Sequence, residues 1–351
     1  MKDCNEQVKG YERAEVRMSE DGRADIYAKA KANRRRLKSG LERNKDPAAI
    51  GQRTQGSYAM RTMIQSDRGD YDVDDGVYFT RSSLQNEKGE DKSAPDARKM
   101  VCAALQDQKF FDQPDVRANC VRVYYKNEGY HVDVPVYRQI VTKNPFTGEE
   151  TKSYEIAAGD DWRKSDPLKN TDWFKSENKT RSPDTVPANG NDGQFVRVVR
   201  MTKDFARSRA GWSSKISSGF AISKLVSDNF VMFDGRDDYA FRHTLKAISA
   251  KLSWNSAIKH PVIDENIAEA GDDKTKFFKE KIDENLKHLD ILDDANCTHD
   301  QAMKAWDALF SCDWFSKQPD PSKKSQVEKA SGPAVIKQGE TRYASREGRY
   351  A

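Results

Sequence analysis

An α+β protein with a mixed α/β first half and a nearly all-helical second half is the fold class the sequence predicts. Three observations carry it. A chain of 351 residues has room for two structural domains or one large bilobal unit. The first half holds a β-hairpin signal: Cys120 to Tyr125, a turn at Lys126-Asn127-Glu128-Gly129, then Tyr130 to Tyr137. From Gln194 onward apolar residues recur at helical spacing instead, in QFVRVVRMTKDFARSR, SSGFAISKLVSDNF, DYAFRHTLKAISAKLSW, KTKFFKEKIDENLKHLDIL and HDQAMKAWDALFSC.

Taken in order, residues 1–22 are polar and without a clear period, which reads as a loosely held arm. Ala24 to about Arg43 is rich in helix formers with sparse apolar positions at Ile26, Ala30 and Leu37, and Pro47 follows its end. Arg34, Arg35, Arg36, Lys38, Arg43 and Lys45 make this helix basic. Such a run is usually a solvated face, and otherwise a surface for phosphates or an acidic partner. Residues 81–94 read as a surface loop, and Pro95 opens a helix with Met100, Val101, Ala104 and Leu105 on one side. Residues 141–193 read as a long, partly irregular connection. The chain from Ser316 onward is rich in Pro, Gly, Ser and Lys and reads as a flexible tail. The expected units are therefore an arm at 1–22, a mixed α/β lobe at 23–190, a helical lobe at 191–315 and a tail at 316–351.

Composition narrows the function classes. Apolar residues are 36% and charged residues 33%, no apolar run is long enough for a bilayer, and MKDCNEQVKG lacks a signal-peptide core. A cytoplasmic protein without a membrane partner is expected. Five cysteines with no CxxC pair argue against a disulfide framework and a zinc knuckle. A net charge of +4 is too small to announce an obligate nucleic-acid partner.

The stretch that could carry chemistry is Gln55 to Phe79. Gly56-Ser57 makes a bend whose amides and hydroxyl suit a phosphate. Asp72-Val73-Asp74 in an extended strand sets two carboxylates on one face and Val73 toward the core. Adjacent carboxylates repel unless a cation lies between them, and hard cations such as Mg²⁺ take oxygen ligands. In the later strand Val132, Val134 and Val136 share one face, while His131, Asp133 and Pro135 share the other. Each feature alone has an ordinary explanation as a turn, a strand end or a surface residue. Their order within about 80 residues is more specific than any one of them.

The series QGS…DVDDGVY…HVDVPVY resembles the catalytic core of polymerase-β-like nucleotidyltransferases. More narrowly, it is similar to the bacterial cGAS/DncV-like nucleotidyltransferases (CD-NTases), which make cyclic oligonucleotide signals in anti-phage defence. WRKSDPLKNTDWF, VRVVRMTKDF and KISSGFAISKLV extend the resemblance over roughly residues 50–270. The spacer from Ser57 to Asp72 is at the long end of the family pattern, which SDRGDY would absorb by looping out.

The resemblance implies a bilobal α+β fold and the joining of NTPs into a cyclic product, such as the cyclic dinucleotide cyclic GMP-AMP. It makes Asp72, Asp74 and Asp133 the ligands of two Mg²⁺ ions, with Mn²⁺ as a substitute. Gln55, Gly56 and Ser57 then meet the donor phosphates, and Lys203 reaches the triphosphate unless it is a solvated helix lysine. Ser217 or Ser218 opens an anion-favouring helix, and Asp264 faces a base or ribose. Asp75 points away from its neighbours, and His131 is read as a strand-surface residue. ATP and other NTPs are the implied substrates. An E1/E2-like partner conjugating the carboxyl terminus at Ala351 is a further implied partner, against the alternative of an ordinary frayed end. The competing readings are a template-independent transferase acting on an RNA end or small molecule, and a catalytically silent binding protein.

Overall fold

The computed structural model describes residues 1–65, 71–108, 112–125, 129–184 and 192–320. Helix α1 (Asn5–Tyr11) runs through a π turn toward the basic helix α2 (Glu20–Asn44). Strand β1 (Gly51–Thr54), a single turn α3 (Gly56–Ala59), strand β2 (Tyr71–Thr80) and helix α4 (Ala94–Leu105) follow. The sheet then grows through β3 (Asp115–Val116), β4 (Val121–Tyr125), β5 (Tyr130–Val134), β6 (Val136–Lys143), β7 (Glu150–Ala158) and β8 (Asp161–Lys164).

Strand order is β3-β4-β5-β2-β6-β7-β8, with β1 antiparallel to β2. Strands β5 and β6 both run parallel to β2 in unchanged register, Tyr71 opposite Tyr130 and Val77 opposite Val136. They therefore act as one strand interrupted at Pro135. Proline supplies no N–H to the ladder, but its carbonyl still accepts from the Val77 N–H at 2.9 Å. The expected strand from Tyr130 to Tyr137 is thus present with one break.

One apolar cluster lies between this sheet and helices α2 and α4. It contains Leu37 and Leu41 of α2, Val73, Val77 and Phe79 of β2, Val101 and Leu105 of α4, and Val132, Val134 and Val136. Helices α2 and α4 cross with almost no gap. A Cβ on Gly40 would lie 1.8 Å from the Ala104 carbonyl oxygen. Gly40→Ala gains up to about 1 kcal/mol of helix propensity, yet it forces two backbones apart. A net destabilisation on the order of 2–3 kcal/mol is expected, read as a lowered urea midpoint.

The second cluster is helical. It joins α5 (Pro167–Arg181), α6 (Gln194–Arg207), α7 (Gly219–Asn229), α8 (Asp237–Trp254), α9 (Asp273–Leu286) and α10 (His299–Phe310). A short ribbon, β9 (Ile258–Lys259) and β10 (Asn266–Ala268), links α8 to α9. Helix α6 is buried on most of its surface, with Phe195, Val198, Val199, Met201 and Phe205 fully enclosed.

Three expectations are corrected. Residues 1–22 are not a loose arm: Cys4, Val8, Tyr11 and Val16 are buried in the helical cluster. Polar anchors explain why so few apolar residues suffice. The Cys4 N–H donates to Asp238 (2.9 Å), the Tyr11 hydroxyl donates to Asp204 (2.8 Å), and Glu12 pairs with Arg200 (2.7 Å). The stretch 141–193 is not irregular where it is described, because it supplies the end of β6, all of β7 and β8, and α5. Residues 185–191 lie outside the described residues. Order also continues past Ser316, since the Gln318 backbone N–H donates to the Phe315 carbonyl at 2.9 Å and its side-chain amide to the Trp314 carbonyl at 3.0 Å. Residues 321–351, the rest of the expected flexible tail, lie outside the described residues, as do 66–70, 109–111 and 126–128 of the expected hairpin turn.

Candidate active site

Sheet register builds the site. Asp74 of β2 stands beside Asp133 of β5, and Asp133 stands opposite Arg122 of β4. Two residues along, Asp72 stands beside His131, and His131 opposite Tyr124. The period of two sends Val73 into the core and both β2 carboxylates to the other face, as alternation predicts. Arg122 clamps Asp133 with two bonds, Nε to Oδ1 and Nη2 to Oδ2, each 2.8 Å. The same Nη2 lies 3.4 Å from Asp72 Oδ1, and His131 Nε2 abuts that Asp72 oxygen. His131 is therefore buried against the site and not a strand-surface residue, which corrects the reading from sequence. Asp75 does face away: Arg34 of α2 and the Thr54 hydroxyl donate to it.

Burial pushes the Asp74 carboxyl up to about 7, with Asp133 and then Asp72 adding like-charge repulsion that Arg122 only partly offsets. This is the electrostatic signature of a carboxylate cluster short of positive charge. Gly56 fits the same picture. Its φ is +62°, and a Cβ there would lie 2.3 Å from Asp74 Oδ2, so only glycine lets α3 approach the carboxylate. Asp72, His131 and Asp133 each offer a donor atom within 4.8 Å of the others. An oxygen-rich set with a cation deficit suits a hard divalent cation such as Mg²⁺.

These groups open onto a cavity of about 470 Å³ lined by Gln55, Gly56, Ser57, Asp72, Asp74 and Asp133 on the sheet side. Its helical wall includes Asn170, Lys203, Arg207, Gly219, Phe220 and Ser223. Lys203 is 5% exposed and donates to the Thr62 hydroxyl at 2.8 Å, so the solvated-lysine alternative does not hold. Burial, then the nearby Arg207 and Arg200, lower its ammonium to about 7. Gln55 is held between two tyrosines, donating to the Tyr137 hydroxyl (2.8 Å) and accepting from that of Tyr78 (3.2 Å).

Ser218 caps α7 by accepting from the Ala221 N–H at 3.2 Å, and Ser217 is buried beside it, but neither lines the cavity; Gly219 does. Asp264 is exposed in the turn between β9 and β10 and does not line the cavity either, which corrects its expected place there. Arg122, Thr62, Asn170, Arg207, Gly219, Phe220 and Ser223 are among the residues at this site that sequence reasoning missed.

A pH dependence follows from Asp74. With its carboxyl at about 7 in place of the usual value of about 4, the metal-free native state holds a proton that the unfolded chain has released. Metal-free stability should therefore decline as pH rises through that window. A divalent cation held by Asp74 would have to expel this proton, and Mn²⁺ affinity would then rise about tenfold from about pH 6 to about pH 8. Isothermal titration without nucleotide reads this directly, and Asp74→Asn should flatten the profile.

Residues 51–137 match the family described as "Cyclic GMP-AMP synthase DncV-like, nucleotidyltransferase domain". The whole fold is similar to that of solved structures at low identity. Vibrio cholerae DncV cyclic AMP-GMP synthase, a prokaryotic cGAS homolog, is 15% identical with a TM-score of 0.63, covering 85% of this chain and 92% of that one. A further structure of the same protein holds the linear intermediate 5′ pppA(3′,5′)pG, at 15% identity and a TM-score of 0.63 over 85% and 92% of the two chains. CdnC of E. coli MS115-1, in a complex with HORMA-deltaN, is 16% identical with a TM-score of 0.61 over 87% and 96%. The matched segment spans β1 through the start of β6, the part that carries all three aspartates. Residues 51–137 thus match the DncV-like nucleotidyltransferase domain family, and the chain as a whole shares the fold of DncV and CdnC.

Proposed function

We propose that the protein joins nucleoside triphosphates into a cyclic oligonucleotide, a cyclic dinucleotide such as cyclic GMP-AMP, as a second-messenger synthase of bacterial anti-phage defence (CBASS). The observation that carries this reading is the register of Asp74 beside Asp133, with Asp72 on the same face, across a cavity from Lys203. The linear pppA(3′,5′)pG in the similar DncV structure supports a stepwise route to the product. Cytosolic ATP and GTP would be its substrates.

Asp72, Asp74 and Asp133 would hold two Mg²⁺ ions, with Mn²⁺ as a substitute. Bound there, such ions would supply activation of the acceptor hydroxyl and neutralisation of charge on the departing pyrophosphate. The chain's own residues do the rest. The Ser57 hydroxyl and the Gly56-Ser57 amides receive donor phosphate oxygens, with Gln55 locked by its two tyrosines to fix the turn. Burial poises Lys203 between its charged and neutral forms at about pH 7, and an arriving triphosphate would hold the proton on it. Lys203→Met should raise KM for the donor NTP about tenfold with a smaller change in kcat, measured by pyrophosphate release.

An RNA-end acceptor is disfavoured by the basic helix itself. Arg34 turns in to Asp75 and Arg36 to Asn33 and Asp107, so two of the three consecutive arginines are engaged inside the protein. The carboxyl-terminal conjugation reading is kept as a proposal. Unchanged partner conjugation and phage protection after deletion of 349–351 would dismiss it.

The test is a product assay. Purified protein with all four NTPs and Mg²⁺ or Mn²⁺ is treated with phosphatase and analysed by mass spectrometry. A phosphatase-resistant cyclic product supports the reading and names the bases. Linear products extended from an added RNA end would favour the alternative transferase.

A further inference from the structure

We propose that Arg122 is a tethered counter-cation of the carboxylate cluster: it holds Asp133 and Asp72 until a divalent cation displaces it, and so sets the cation concentration at which the site fills. The inference rests on the reading that Asp72, Asp74 and Asp133 hold divalent cations. It adds a residue whose work is done before any nucleotide arrives.

Position comes from the hairpin. Arg122 and Asp133 are directly cross-strand neighbours on β4 and β5, so the ladder itself aims the guanidinium at the carboxylate. Both oxygens of Asp133 are engaged, in the two-point geometry that makes arginine–carboxylate pairs strong and directional. The third contact reaches Asp72. Among the described residues, the hydrogen bonds and ion pairs of the Arg122 guanidinium end on these two carboxylates. An arginine serving only the fold would be expected to tie into a carbonyl or a carboxylate away from the cavity, as Arg98 does to the Ala157 and Gly159 carbonyls.

Charge explains the need. Three aspartates converge on one face, and a guanidinium is cationic at any working pH. It supplies the positive charge that the cluster lacks without metal. A cation binding Asp133 must take an oxygen that Arg122 already holds, and afterwards the guanidinium would sit close to a second positive charge. Exchange is sterically open, because the Arg122 side chain is 26% exposed while Arg200, in its permanent pair with Glu12, is 3% exposed. Arg122 is thus a positioning residue that acts through Asp133.

The experiment is Mn²⁺ titration followed by electron paramagnetic resonance, without nucleotide, on the full chain. It compares the parent, Arg122→Gln, Arg122→Lys and the Asp72→Asn/Asp74→Asn double variant. Arg122→Gln should bind Mn²⁺ on the order of tenfold more tightly. Arg122→Lys, which keeps the charge but loses the fork, should fall between, and it reads the effect if the Gln variant folds poorly. At about pH 8 the metal-free Arg122→Gln protein should also melt below the parent, and saturating Mn²⁺ should raise its Tm by more than it raises the parent's. Equal or weaker Mn²⁺ binding by both Arg122 variants, with binding lost in the double aspartate variant, would overturn the proposal while leaving the metal reading intact. Undiminished Mn²⁺ binding by the double aspartate variant would instead remove the metal reading, and this proposal with it.

Discussion

Asp74→Asn should cut nucleotidyl transfer by roughly a thousandfold or more, on the order of the several kcal/mol that charge stabilisation by bound metal supplies, while making the metal-free protein more stable at about pH 8. The two effects share one cause. Asp74 lies beside Asp133 in register and on the same face as Asp72, and burial with those two neighbours lifts its carboxyl to about 7. At about pH 8 it is therefore charged at a cost, and the amide removes that cost without changing the side chain's shape. As pH falls the difference should shrink, being clearly smaller at about pH 5 and gone only below about pH 4, where the unfolded chain's aspartate is protonated too. Melting curves at both pH values in EDTA, beside a pyrophosphate-release assay, check both halves. A variant destabilised equally at both pH values would mean that Asp74 is a structural acceptor.

Gly56→Ala should be nearly as damaging to activity, for a steric reason. The new methyl would fall 2.3 Å from Asp74 Oδ2, and a short aspartate can yield only by turning its carboxylate out of the cluster. Displacement on the scale of an ångström costs about a hundredfold in rate, and divalent affinity should fall with it. The left-handed backbone adds about 1–2 kcal/mol of destabilisation. Gly89→Ala separates the two contributions, because Gly89 has φ +78° with nothing within 4 Å of a Cβ. It should lose comparable stability and keep full activity and Mn²⁺ affinity.

Alternation and spacing made much of this site legible. The period-two pattern of DVD and HVDVPVY set the three aspartates on polar faces, and the structure pairs those faces in register. Helical spacing found α6 through α10 because each buries a stripe of apolar residues. What was missed depended on contacts between distant segments. The amino-terminal helix buries only a few apolar side chains, and its anchors, Asp204, Asp238 and Arg200, come from far along the chain, in α6 and α8. For Lys203 the sequence leaves a triphosphate contact and a solvated helix lysine both open, and only the packing of the turn bearing Thr62 removes the second. Arg122 is the instructive case, for its signal was present. Folding the hairpin about the turn at 126–129 sets Tyr125 against Tyr130 and hence Arg122 against Asp133.

The central claim is that Asp72, Asp74 and Asp133 act together as the cation-dependent centre of nucleotidyl transfer. Pyrophosphate release from ATP plus GTP, titrated with Mg²⁺ for the parent and for the Asp72→Asn/Asp74→Asn and Asp133→Asn variants, tests it most directly. Saturable Mg²⁺-dependent release by the parent, reduced to background in both variants, is the predicted result. Release by either variant at the parent's rate and Mg²⁺ dependence would contradict it.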